Sequence, residues 1–264
     1  TELSTVPPEL VFLLDLRLPD PCDAATGRAV LAATQPSAQL PSNEVARHVW
    51  QLTHPTEERP WAVRVAERLT AFLRELDRAA RPFDFSDCSL GNLVFAGSFL
   101  SVGQAFNPAV ADYCGLLGLP SGLIENVTDG TNAYLVALDT AGELLASEEA
   151  VVDAKRRNRI DEIYLIDRPL DAAEQVRVAA LGKAERTAFL NQRAATIRVN
   201  PTVVERLREA DLIVYAPGTQ HSSLFPSYLT PGLGAAIAGN LTAIKLLVTN
   251  LHEDAEITGA SAVD

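Results

Sequence analysis

Asp211-Leu-Ile-Val-Tyr-Ala-Pro-Gly-Thr-Gln-His-Ser-Ser-Leu-Phe-Pro226 is an apolar run that breaks abruptly into small and hydroxyl-bearing residues. Leu212 to Ala216 reads as a fully buried strand, since an unbroken apolar run bounded by turn residues suits a parallel sheet covered on both faces. A helix through about Ala238 and the strand Ile244 to Thr249 follow, and Asn200-Pro201 opens a helix before it. Strand, crossover helix, strand is the order of a parallel α/β sheet. The expected fold is therefore a three-layer, Rossmann-like α/β sandwich with a mainly parallel sheet and helical additions.

In open α/β sheets ligands bind outside the carboxyl ends of the strands, where Pro217 to Leu224 lies. Gly218 can take positive φ and lets backbone approach a ligand, and Thr219, Ser222 and Ser223 offer hydroxyls beside main-chain amides. Such a loop suits a phosphate. A plain strand-to-helix turn that uses Gly and Ser for capping fits the same residues equally well. His221 can donate to a phosphoryl oxygen or act as a general acid, or can simply fill space in the loop.

Upstream, Trp61, Val65, Leu69, Phe72, Leu73 and Leu76 recur at helical spacing opposite charged residues. A second helix is expected from Ser89 to Leu100. A third is expected with Asn107 as cap, Pro108 at the first helical position and Gly118 beyond its end, its stripe being Val110, Cys114 and Leu117. Short β segments are expected at Leu123 to Val127, Ala133 to Leu138 and Glu143 to Ala146, the last two as a hairpin, and again at Ile163 to Ile166. Helical sequence runs from about Asp171 to Arg193. Residues 1–82 read as mostly helical and irregular, and without an internal repeat or linker the chain is treated as one α/β domain.

With 34 acidic and 22 basic side chains the formal net charge is -12, which disfavours nucleic acid and anionic membrane surfaces. No apolar run approaches the roughly 20 residues of a membrane span. Cys22, Cys88 and Cys114 are odd in number and widely spaced, as expected of reduced thiols in a cytoplasmic protein. The histidines outside the loop lack ligand-like spacing, so no zinc site is expected. The basic cluster Lys155, Arg156, Arg157 and Arg159 fits either a solvated face or the attraction of a phosphorylated substrate.

The run from Ala210 to Leu233 resembles the hallmark of the superfamily that unites phospholactate transferases of coenzyme F420 synthesis with bacterial gluconeogenesis factors. Ala216 stands where that family usually has a first glycine. Ser89-Leu-Gly-Asn92 and Ile244-Lys-Leu-Leu-Val-Thr-Asn250 resemble two further stretches of the gluconeogenesis-factor branch. The likeness spans roughly Phe83 to Gly259. It implies a domain that holds a nucleotide-linked, phosphorylated ligand, with Ser89, Gly91, Asn92, Pro217, Gly218, Thr219, His221, Ser222, Ser223 and Asn250 as candidate contacts and Mg²⁺ as helper. Ser89 to Asn92 also reads as a helix cap with a packing glycine.

Asp129 and Thr131, in Asn126-Val-Thr-Asp-Gly-Thr-Asn132, are further candidates, although Asp-Gly is ordinarily a tight turn. The family's Gly-Gly-Gly-Thr-Gly loop and Asp-Asp-Gly segment are not found in the sequence, so a fragment with an incomplete site is expected. The activity implied is transfer of a phospholactate-like or phosphoenolpyruvate-like unit from a guanosine diphosphate donor to a deazaflavin. The alternative is a regulator that binds a nucleotide sugar or dinucleotide without catalysis. The partner expected is the small-molecule ligand, with a homodimer left open.

Overall fold

A computed structural model describes residues 6–54, 59–79, 82–120, 122–152, 158–251 and 256. The chain divides into two compact units, Thr1–Glu125 and Asn126–Asp264. The chain is mixed α/β.

Among its described residues the first unit is helical, with α1 (Pro8–Asp15), α2 (Ala24–Ala32), α3 (Glu44–Thr53), α4 (Pro60–Ala79), α5 (Leu90–Ser101) and α6 (Phe106–Leu116). The stripe on α4 forms for the reason its spacing gave: Trp61, Val65, Leu69 and Phe72 are buried, together with Ala62 and Ala66. Trp61, Ala62, Val65, Leu69 and Phe72 join Leu10, Leu13, Val30, Leu31, Val49, Phe85, Leu90 and Leu93 in one core. Helix α6 starts two residues earlier than expected, with Ala105 as cap, and Pro108 sits within its first turn. Ala109, Cys114 and Leu116 are its buried residues, so of the expected stripe only Cys114 is fully buried.

Asp112 on α6 accepts two hydrogen bonds from Arg68 on α4, from Nε at 2.8 Å and Nη2 at 2.7 Å. The Arg68 guanidinium holds the Asp112 carboxyl below its ordinary 3.8. A carboxyl lowered in the folded state contributes stability above its unfolded value, and that contribution is lost as pH falls through the folded value. Asp112→Asn should therefore cost about 1 to 3 kcal/mol at pH 7, and the difference from wild type should shrink below about pH 4. Urea midpoints at the two pH values check this.

The second unit contains β1 (Tyr134–Asp139), β2 (Leu144–Leu145), α7 (Glu148–Val152), β3 (Ile160–Ile166), α8 (Ala172–Ala179), α9 (Lys183–Gln192) and α10 (Pro201–Glu209). It continues with β4 (Leu212–Tyr215), a π-helical turn (Gln220–Leu224), α11 (Phe225–Tyr228), α12 (Leu233–Gly239) and β5 (Ile244–Leu247). Strands β2, β1 and β3 form an antiparallel sheet in that order. Alternation along β1 supplies both faces: Val136 and Leu138 pack with Ile166, Leu170 and Leu190, while Ala137 packs with Val151 and Ile160. The expected hairpin is present, and the buried Asp139 closes it by accepting from the Glu143 amide at 2.7 Å and from Asn158 at 2.8 Å.

Leu123 to Val127 is not a strand, because its neighbours tie it into loops; the Asn200 amide donates to the Val127 carbonyl. The helical stretch after Asp171 is two helices, since Gly182 breaks it and caps α9.

Strands β4 and β5 are parallel, in register from Leu212–Ile244 to Tyr215–Leu247. This is the one parallel pairing among the described residues, and the larger sheet is antiparallel. β4 is also not the fully buried strand that its apolar run suggested. Ile213 alone in it is buried, whereas Leu212, Val214, Ile244 and Leu246 are 53%, 48%, 69% and 49% exposed. An apolar run specifies what a strand would bury, but whether burial occurs depends on what packs over it.

Candidate functional site

The candidate residues fall in both units. In the first unit Ser89 caps α5, its hydroxyl accepting from the Asn92 amide at 3.1 Å. Ser89 also pairs with Arg17 in an isolated bridge, which fixes the entry to the helix. Gly91 is buried where a Cβ would lie 2.9 Å from the Leu14 carbonyl oxygen and 3.2 Å from the Tyr113 hydroxyl. Its glycine is explained by packing. Asn92 is exposed at the helix start.

In the second unit, Asp129 forms a local turn in which its Oδ1 accepts from the Thr131 amide at 3.0 Å. Thr131, through its hydroxyl and then its amide, holds the Asp129 carboxyl below the ordinary range. Gly130 supplies the positive φ of 89° that this turn requires. The segment is pinned to the loop before α10 by the Thr128–Val199 bridge and by the Asp129 amide, which donates to the Arg198 carbonyl. The tight-turn reading of this Asp-Gly pair thus describes the geometry.

The loop after β4 is built around Thr219. Its carbonyl accepts from the Ser223 and Leu224 amides, and its hydroxyl lies 2.8 Å from the Ser222 hydroxyl and 2.6 Å from the Ser223 hydroxyl. These contacts are exposed, so three hydroxyl groups converge at the carboxyl end of a parallel strand. Pro217 is exposed just before them. Asn250, just past β5, donates through Nδ2 to the Gly218 carbonyl at 2.9 Å and ties the loop to the neighbouring strand.

Gly218 does not use the positive φ open to it, and a Cβ there would meet only the Leu224 side chain, at 3.5 Å. The fold itself therefore accepts a larger residue at 218. His221 is buried at 8% exposure, with its ring edge-on to Phe225 at 4.9 Å. Tyr215 at the end of β4 packs with Tyr228 at 5.9 Å, and Phe225 with Tyr228 at 6.3 Å.

One residue absent from the sequence reading is central here. The Glu256 carboxylate, 4% exposed, accepts from the His221 amide at 2.7 Å and the Ser222 amide at 3.0 Å. Two of the amides expected to face a phosphate are thus taken by the protein's own anion. In the sequence Glu256 follows Glu253 and Asp254 and reads as part of a solvated acidic stretch. Of the basic cluster, Lys155, Arg156 and Arg157 lie outside the described residues.

The family model of 2-phospho-L-lactate transferase CofD matches residues 51–264. A curated protein of Thermotoga maritima named "Putative gluconeogenesis factor" is 27% identical over 181 residues, which is 68% of this chain and 47% of that protein. A protein of the same name from Aquifex aeolicus is 23% identical over 164 residues, 62% of this chain and 40% of that protein. The chain thus spans less than half the length of these relatives. A solved structure of a UPF0052 family member from Bacillus halodurans aligns with a TM-score of 0.50 at 21% identity, covering 90% of this chain and 70% of that one. With the family model matching residues 51–264, most of the sequence and all of the hydroxyl loop, the chain belongs to the CofD family of 2-phospho-L-lactate transferases.

Proposed function

We propose that the loop from Pro217 to Leu224 contacts the phosphate of a nucleotide-linked ligand, and that the whole protein moves a phospholactate-like or phosphoenolpyruvate-like unit from a guanosine diphosphate donor to a deazaflavin hydroxyl. The observation that carries this reading is the exposed convergence of the Thr219, Ser222 and Ser223 hydroxyls beyond the carboxyl end of β4. Hydroxyls that bond to one another at the surface can turn to phosphoryl oxygens at small cost. The rings of Tyr215, Phe225 and Tyr228, in the chain on either side of the loop, are inclined to one another and offer aromatic faces and edges that would suit a base or a deazaflavin.

Phosphoryl transfer asks an enzyme mainly to position groups in line and to neutralise oxygen charge, and the three hydroxyls supply positioning. Transfer of the phosphorylated unit breaks the diphosphate, so guanosine monophosphate leaves with the electron pair and the acceptor hydroxyl loses its proton. Among the described residues no three His, Cys, Asp or Glu side chains gather to hold a metal ion, and the Asp129 carboxylate is engaged by Thr131. Mg²⁺, which the family implies, ordinarily keeps several waters and is held by one or two carboxylates together with the ligand's own phosphates, so it would enter with the ligand and neutralise oxygen charge there.

The exposed apolar residues of β4 and β5 support a finer reading of the fold, in which this pair belongs to a larger parallel, three-layer sheet. The name shared by the two relatives favours a second functional reading, a regulator that binds a nucleotide sugar or dinucleotide. Release of guanosine monophosphate by the whole protein, given donor and deazaflavin, distinguishes transfer from binding alone.

For this chain, GDP should bind weakly, with a dissociation constant roughly in the millimolar range. Gly218→Ala leaves the fold intact because its Cβ has room, so a loss of affinity reports on the ligand. In the whole protein, Gly218→Val should weaken the phosphorylated ligand by about 5- to 150-fold, whereas Thr219→Ser, which keeps the hydroxyl, should change it little. Equal affinities in folded variants would reduce the loop to a turn.

A further inference from the structure

We propose that Glu256 is a positioning residue for the hydroxyl loop, so that the ligand is met by the Thr219, Ser222 and Ser223 hydroxyls rather than by the amides of His221 and Ser222. The proposal rests on the reading of the loop as the phosphate contact. Main-chain amides at the start of a helical turn attract anions. Here two successive amides point to the Glu256 carboxylate at 2.7 and 3.0 Å, from a residue 34 and 35 positions away in sequence. A carboxylate only 4% exposed is stable when such hydrogen bonds compensate its lost hydration. The contact therefore fixes the backbone of Ser222.

That backbone direction carries the Ser222 hydroxyl to Thr219, and Thr219 in turn bonds Ser223. A second tether acts at the start of the loop, where Asn250 donates to the Gly218 carbonyl. Both tethers come from the chain that follows β5. The loop after one parallel strand is held at its start by Asn250 and at its middle by Glu256, with the His221 and Ser222 amides turned to Glu256 and the Thr219, Ser222 and Ser223 hydroxyls exposed.

The test compares wild type, Glu256→Gln and Glu256→Ala by amide-resolved NMR, each titrated with GDP. Glu256→Gln keeps an acceptor for the amides and should bind GDP within about 2-fold of wild type, whereas Glu256→Ala should bind about 10-fold more weakly. In Glu256→Ala the His221 and Ser222 amide protons should also move upfield and exchange faster with solvent before any GDP is added. Unchanged amides in Glu256→Ala would overturn the proposal. So would tighter GDP binding by that variant, because the freed amides would then be the anion site. If GDP shifts none of the 219–223 signals in wild type, the reading of the loop as a ligand site falls and this proposal falls with it; the wild-type titration separates that failure from failure of the positioning role alone.

Discussion

Replacing Gly97 by alanine is expected to destabilise the first unit by about 3 kcal/mol or more. Gly97 lies on α5 against the backbone of α4, and a Cβ there would fall inside van der Waals reach of the Arg68 carbonyl and 2.9 Å from its Cα. A backbone obstacle cannot rotate aside. The two helices would have to separate, exposing part of the core made by Val65, Leu69, Leu93 and Val94. Alanine is the better helix former by roughly 1 kcal/mol, so the clash must exceed that gain to appear at all.

Gly115 on α6 is the internal comparison, since its Cβ would meet nothing within 4 Å and its φ is not positive. Gly115→Ala should stabilise by about 0.5 to 1 kcal/mol. Both tryptophans, Trp50 and Trp61, lie in this unit, so urea denaturation followed by their fluorescence reads it selectively. A cost below about 1 kcal/mol for Gly97→Ala would mean that α4 and α5 do not cross this closely.

Nothing in the sequence distinguishes Gly97 from Gly115, since both lie in helical runs, and this shows which parts of the molecule were legible. The α4 stripe, the Ser89 cap, the β1–β2 hairpin and the parallel β4–β5 pair all follow from local spacing and turn chemistry. Features that depend on distant partners do not. The apolar run at 212–216 could not tell that Leu212 and Val214 stay exposed, because its composition is that of a covered strand. Gly218 suggested a left-handed turn, yet its φ is ordinary; glycine permits that conformation without requiring it. The hydroxyl residues were found because a loop after a strand is a local motif. Glu256 was not, because its burial is created by two amides more than 30 residues away.

Asn240 is a second such residue, and its loss is expected to cost about 3 kcal/mol in the second unit. Its side chain is 5% exposed and joins the end of α10 to the start of β5. Nδ2 donates to the Leu207 carbonyl at 2.9 Å and the Ala210 carbonyl at 2.8 Å, groups that the helix end leaves without partners. Oδ1 accepts from the Thr242 amide at 3.1 Å and the Ala243 amide at 2.9 Å, one residue before β5. One amide thus sets where β5 begins relative to the chain that enters β4, and the Asn250 tether to Gly218 lies at the far end of the same strand.

Asn240→Leu keeps the approximate volume but takes the partner from three donors, the Thr242 amide and hydroxyl and the Ala243 amide, and from two acceptor carbonyls, each costing about 1 kcal/mol where water does not reach. Asn240→Asp separates the two halves of the clamp. It retains acceptors for Thr242 and Ala243 but sets negative charge against the Leu207 and Ala210 carbonyls, so helix-end protection should be lost while the β5 entry survives. Amide hydrogen exchange reads both halves: Asn240→Leu should accelerate exchange at Thr242 to Leu247 and through the last turn of α10, and Asn240→Asp mainly in the latter. If exchange along β5 stays at the wild-type rate in Asn240→Leu, the strand is placed by its ladder with β4 alone, and the clamp has no part in holding the loop beyond it.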